Sequence, residues 1–209
     1  RLNYLRNLEK RKEEVIKLID EQGKLKDEIF ISIGTAKTLA EEEDLYRPYK
    51  QKKRTRAIIA KEKGLEPLAE IIIEQKATKD ILETAAEYIN EEKKVETAED
   101  AIAGAKDIIA EDISDNAKYR KYIKSACYRE ALIETKASKE EEKSNYEMYY
   151  EFSESVRRVA NHRILAMNRG EKEDVLSVKI DVDAEIILKY LEGCTVKGNG
   201  QLSDLVKES

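Results

Sequence analysis

The apolar residues of this chain recur at helical spacing over most of its length, and that recurrence constrains the fold more than any other feature. Leu2, Leu5, Leu8, Val15, Ile16 and Ile19 fall on one side of a helix of about 3.6 residues per turn, and Gly23 supplies the stop. The spacing predicts a first helix over 1–22 and a weaker second one over 26–37. Thr38 to Glu41 has the T-x-x-E form of a capping box, which starts a short helix ending near Tyr46, ahead of Pro48. Thr55 is placed to cap a helix through Lys63 that Gly64 terminates, and Pro67 suits the first turn of the next, over 66–75. Ile81, Leu82, Ala85, Tyr88 and Ile89 form another apolar stripe. Thr97 opens a longer helix to Ile113 with Ala101, Ile102, Ala105, Ile108 and Ile109 inward, and Asn116 leads into a helix over 117–135. A series of helices with short connections reads as a mostly α fold, a multi-helix orthogonal array.

The pattern changes in the last third. Residues 137–144, ASKEEEKS, are charged and small with no apolar side to bury, and mark a boundary between an N-terminal helical domain (1–136) and a second, partly helical segment (145–209). Tyr146, Tyr149, Tyr150 and Phe152 cluster after it; the expectation is that they are core, followed by a helix over 154–168 with Gly170 as its stop. In VLSVKID, residues 175–181, Leu176, Val178 and Ile180 alternate with Ser177 and Lys179, which predicts a short strand or hairpin and no more sheet than that. Asp183 caps a helix to Glu192, 193–200 is a turn-rich linker, and Ser203 is placed to cap a further helix. Arg1 falls inside an apparent helix, so the chain reads as a piece of something longer.

Composition narrows the function. The 209 residues are 41% hydrophobic, which is enough for a packed core, and 40% charged, far above the usual ~25%, which implies heavily solvated outer faces. No apolar run approaches the ~20 residues that cross a bilayer, so no membrane partner is expected. Cys127 and Cys194 stand far apart in partly apolar surroundings and read as buried free thiols of a reducing compartment; with no export leader, the expected location is cytoplasmic. His162, the single histidine, and two distant cysteines cannot build a zinc site, so no metal or other cofactor is expected. There is no G-x-x-x-x-G-K-[ST] loop and no G-x-S-x-G elbow, and runs such as Glu41 to Glu43 and Glu140 to Glu142 read as solvated faces rather than catalytic pairs. The chain is expected not to be an enzyme.

One segment runs against the overall charge. Tyr46 to Leu68 carries Arg47, Lys50, Lys52, Lys53, Arg54, Arg56, Lys61 and Lys63 against Glu62 and Glu66, in a chain of net charge −5. Clustered cations attract polyanions whatever the chain average, so Lys50, Lys52, Lys53, Arg54 and Arg56 are the candidate phosphate-facing residues, with Arg157, Arg158, Arg163 and Arg169 as a weaker second set. The competing reading is that these cations pair with neighbouring acids on a solvated surface. A protein-interaction module, using the acidic helix near 91–112 or an apolar groove, is the alternative function.

The same segment carries a resemblance. Asp44-Leu45-Tyr46, Pro48-Tyr49-Lys50, Arg54-Thr55-Arg56-Ala57 and Gly64 to Ala69, with GAKDIIAEDISDNAKYR at 104–120 and HRILAMNRGEKEDVLSV at 162–178, resemble three colinear blocks of the bacterial transcription accessory protein family Tex. Arg47 stands where that family usually has Leu, and Gln51 where it has Pro. The resemblance implies a helical region with helix-turn-helix-like elements that leads toward a missing downstream RNase-H-like domain, with helix-hairpin-helix motifs and an OB-type RNA-binding domain further on. It implies a non-catalytic scaffold whose main nucleic-acid grip lies in domains outside this chain, with a protein partner in transcription as a further expectation.

Overall fold

The structure, a computed structural model, describes residues 1–76, 80–138 and 144–209. Among these the chain is mostly α: α1 (Leu2–Asp20), α2 (Asp27–Thr35), α3 (Leu39–Tyr46), α4 (Arg56–Glu62), α5 (Glu66–Glu74), α6 (Ile81–Ala86), α7 (Ala98–Asp115), α8 (Ala117–Glu130), α9 (Asn161–Lys172), α10 (Ala184–Thr195) and α11 (Gln201–Lys207). Three strands, β1 (Leu132–Ala137), β2 (Glu151–Ser155) and β3 (Leu176–Asp181), form one sheet. No helix among the described residues is long and apolar enough to cross a membrane. Compactness groups Arg1–Lys121 with Leu191–Ser209, and separately Tyr122–Tyr190. This differs from the division at 136 and 145 read from composition: the first unit ends at Lys121, within α8, and the last residues return to it; residues 139–143 of the 137–144 stretch, with Glu140 to Glu142, lie outside the described residues.

In the first unit, local chemistry sets the helix starts. The Thr38, Thr55 and Thr97 hydroxyls each accept the backbone N–H three residues on, from Glu41, Ile58 and Asp100, all at 3.1 Å. Each removes one of the unpaired donors of a helix N-terminus. Gly64, at φ +85°, ends α4 in the left-handed region, and the Leu65 N–H then donates to the Ala60 carbonyl. α7 is the hub: Ala101, Ala105, Ile108 and Ile109 are buried against Ala57 and Ala60 of α4, Leu68 and Ile72 of α5, Ile81 and Ala85 of α6 and Val206 of α11.

Gly104 lets α4 and α7 close on each other, since a Cβ there would stand 2.4 Å from Leu65 Cδ1 and 3.4 Å from Ala60 Cβ. Leu65 is buried and cannot swing away. Gly104→Ala is therefore expected to lower stability by about 1 kcal/mol net, overpacking of about 1–3 kcal/mol outweighing the roughly 1 kcal/mol of helix propensity gained. An unchanged or raised thermal midpoint would contradict that close approach.

The C-terminal segment is fastened by Gln75, itself left-handed at φ 55°. Its amide donates to the Thr195 carbonyl at 2.7 Å, and its oxygen accepts from the Lys197 N–H at 2.8 Å and the Ser203 hydroxyl at 2.9 Å. Ser203 thus lies inside α11, buried, and the helix begins at Gln201 after Gly200, not at a serine cap. A second cluster in this unit joins Val15 and Ile19 of α1, Ile33 of α2 and Tyr46. Beside it sits Glu42, fully buried, with neither carboxylate oxygen hydrogen-bonded.

The second unit holds the sheet, in order β2-β1-β3, antiparallel throughout. The strand predicted near 175–181 is present as β3. It pairs with a strand that helical periodicity had assigned to the end of the 117–135 helix: Ile133 faces Ile180, Thr135 faces Val178 and Ala137 faces Leu176. α8 stops at Glu130 because Ile133 and Thr135 are β-branched and alternate inward, Thr135 donating to the Tyr149 carbonyl in the core. β2 occupies the start of the helix expected over 154–168, which instead runs Asn161–Lys172 as α9. Gly170 is not its stop but a close-packing point, where a Cβ would meet Leu176 Cδ1 at 2.6 Å. Tyr149 is core, edge-on to Phe152 with centroids 5.4 Å apart, beside Ile133, Met167 and Leu176. Tyr122 of α8 stacks on Tyr190 of α10.

Candidate nucleic-acid interface

The basic loop lies in the first unit, between a 3-10 turn at Arg47–Tyr49 that contains Pro48 and the Thr55 cap of α4. Proline fixes the backbone on one side and the threonine cap fixes it on the other, so residues 50–55 are a short span held at both ends. What lies under that span is α7. Its Asp107, Glu111 and Asp115 recur every fourth residue, and so share one face.

That acidic face meets the loop as an antiparallel ladder. Arg56 Nε lies 3.5 Å from Asp107 Oδ1, Lys52 Nζ lies 3.2 Å from Glu111 Oε1 and also donates to Asp115 Oδ2, and Arg47 Nε donates to Asp115 Oδ1 at 2.7 Å. Asp115 is buried and accepts from two cations at once. Off the ladder, Lys61 lies 3.5 Å from Asp112 and 3.8 Å from Glu66, and burial raises the Asp112 carboxyl above its usual range despite the attraction of Lys61. Lys63 donates to the Lys94 carbonyl.

The five candidates therefore separate. Lys52 is mostly covered and held by two carboxylates. Arg56 is exposed and shares Asp107, and Arg54 is 72% exposed and makes only a surface pair with Glu62 at 3.3 Å. Lys50 and Lys53 are exposed and have no acidic partner among the described residues. Four carboxylates of α7 offset much of the positive charge that the sequence displays; Lys50 and Lys53 face solvent without an acidic partner among the described residues, and Arg54 and Arg56 face it in surface pairs. The acids had read as a separate acidic helix; their four-residue spacing was the available signal that one face of α7 could serve as counter-ions to the loop.

The weaker arginine set lies in the second unit. Arg163 donates to Glu154 at 2.6 Å and sits over the Phe152 ring at 5.7 Å, which ties it to the sheet. Arg157, Arg158 and Arg169 are exposed. His162 is exposed on the first turn of α9. Of the cysteines, Cys127 is partly buried, but Cys194 is exposed rather than buried because the end of α10 lies open to a groove.

That groove, of about 340 Å³, runs between α5, α7 and the start of α8, floored by Ile73, Ile108, Ile109 and Ile113 and edged by Asp112 and Tyr119. Burial raises the Tyr119 hydroxyl above its ordinary value.

These features define a mostly helical, charge-rich body with a basic loop braced from within. A family model described as Tex central region-like matches residues 76–197, and the chain belongs to that family. It is 50% identical over 200 residues to YdcI, an uncharacterised protein of Bacillus subtilis, covering 94% of this chain and 28% of that protein. It is 39% identical over 182 residues to the transcriptional accessory protein Tex of Neisseria gonorrhoeae, covering 86% of this chain and 24% of the relative. The S1 RNA-binding domain-containing protein 1 of Homo sapiens is 28% identical over 203 residues, covering 92% and 20%. The chain thus spans about a quarter of the length of the curated relatives it matches.

Proposed function

We propose that this chain is a non-catalytic scaffold and interaction region of a cytoplasmic, nucleic-acid-contacting transcription accessory protein, and that the outer edge of its basic loop touches phosphate backbones. The observation that carries the reading is the split within the loop. Lys52 and Arg47 are spent on α7, which fixes the backbone, while Lys50 and Lys53, with Arg54 and Arg56 in surface pairs only, project from that fixed backbone toward solvent. Cations presented on a braced loop lose less side-chain and backbone freedom on contact than cations on a loose one. The names of two relatives, one a transcriptional accessory protein and one with an S1 RNA-binding domain, agree in kind. Contact of this type is sequence-independent and sensitive to salt, and is secondary to a main grip elsewhere in the longer protein. The clustered carboxylates Glu111 and Asp115 are engaged by Lys52 and Arg47, which supports a bracing role over acid–base chemistry.

Lys53→Glu with Arg54→Glu is expected to weaken binding of RNA and DNA by the full-length protein and to flatten the plot of log affinity against log salt by about 0.7–0.9 for each phosphate no longer neutralised. Measured by fluorescence anisotropy at several salt concentrations, an unchanged affinity with an unchanged slope would remove the loop's role.

A further inference from the structure

Arg157 and Arg158 belong to the turn that follows β2, and both are exposed with no acidic partner among the described residues. The turn is fastened to the end of α8: the Val156 N–H donates to the Ala131 carbonyl at 3.0 Å, and the Ala131 N–H donates to the Cys127 carbonyl at 2.9 Å. Two residues before Ala131, Arg129 is half exposed; its Nη1 donates to the Ser125 hydroxyl at 2.7 Å, and Glu130 stands 3.9 Å away. The adjacent Tyr128 is 58% exposed, a large ring that the core does not take up. Acids at the same end of the sheet are already engaged, Glu154 with Arg163 at 2.6 Å and Asp181 with Lys179 at 2.6 Å. Sequence alone grouped Arg157 and Arg158 with Arg163 and Arg169 because they follow one another; the fold ties their turn instead to the segment that carries Arg129 and Tyr128.

We infer that Tyr128, Arg129, Arg157 and Arg158 form a binding site for single-stranded nucleic acid on the second unit. Guanidinium groups match phosphate oxygens two at a time, and the three here stand within two residues of the Val156–Ala131 backbone bond that fastens the turn to the end of α8. An exposed tyrosine ring adds what a phosphate clamp alone lacks, a face on which a base can stack. Only a base freed from a duplex can offer its face to such a ring, which selects single strands over double helices. The inference rests on the reading of the chain as nucleic-acid-contacting, but it uses a different set of residues from the basic loop.

The chain has no tryptophan, so Tyr128→Trp places a sole indole at the site. Titration of the 209-residue chain with an oligouridylate strand is expected to quench the indole saturably. Arg157→Glu with Arg158→Glu in that background is expected to weaken the response by roughly tenfold or more. If the labelled strand binds by anisotropy, depends on the loop and leaves the indole unquenched, this site is overturned and the loop reading stands. Equal quenching by duplex DNA or by polyglutamate overturns the single-strand assignment, and absence of any binding overturns the site outright.

Discussion

Replacing Glu42 with methionine is expected to stabilise the protein by about 1–3 kcal/mol. Glu42 lies on α3 with no exposed surface, and neither carboxylate oxygen has a hydrogen-bond partner. The cations near it are occupied. Arg11 donates to Glu43 at 2.8 and 3.1 Å and to Glu14 at 3.3 Å, leaving its Nε 3.9 Å from Glu42; Lys12 donates to Glu9 and to the Gly34 carbonyl, both at 3.0 Å. Methionine, of similar length and flexible, therefore removes a desolvated acid without orphaning a cation.

The pH dependence follows from the same burial. Desolvation raises the Glu42 carboxyl above its ordinary value; Arg11 and Lys12 oppose this, while Glu43 and Glu14 reinforce it. The folded state then holds the proton more tightly than the unfolded chain. The stability from the neutral carboxyl is complete below the ordinary carboxyl range and is lost as pH rises from there through the raised value. Urea midpoints of the natural chain should fall across that window, and Glu42→Gln, which cannot ionise, should show less of the fall. A lower midpoint for Glu42→Met at neutral pH that disappears in acid would show that the native state uses the ionised carboxylate.

Elements encoded by neighbours in sequence were legible before any coordinates. The three threonine caps and the Gly64 terminator are local chemistry, and each lies where its residue type demands. The sheet was legible only in part. β3 alternates cleanly, whereas β1 buries a threonine and exposes Leu132, so its inward face does not read as apolar until Tyr149 is seen accepting from Thr135. Its partners lie far along the chain, and pairing at that separation leaves no local mark. Gly170 and Ser203 were misread for a related reason, since a stop glycine and a packing glycine, or a capping serine and one buried against Gln75, differ only in what comes up against them. In the candidate interface the basic cluster was visible as a charge count. Which of its members α7 would hold depended on tertiary packing of α4 against α7.

That packing makes Asp115 the residue on which the loop's two roles can be separated. It is buried, accepts from Arg47 and Lys52 together, and is the last rung of the ladder that Asp107 and Glu111 begin. Asparagine keeps the shape and one acceptor but loses the charge, so Lys52 retains only Glu111 while Arg47, already 45% exposed, turns to solvent. A loss of about 1–3 kcal/mol is expected, below the cost of breaking a fully buried pair because both cations reach water. Phosphate affinity should move the opposite way, as Arg47, formerly neutralised from beneath, becomes available beside Lys50 and Lys53 while Lys52 keeps a single carboxylate. A fall in stability with a rise in salt-dependent RNA binding would establish that α7 restrains the loop's charge as well as its backbone. A fall in both would mean that bracing outweighs charge, and that Lys50, Lys53 and Arg54 must be presented from a fixed backbone to touch phosphates at all.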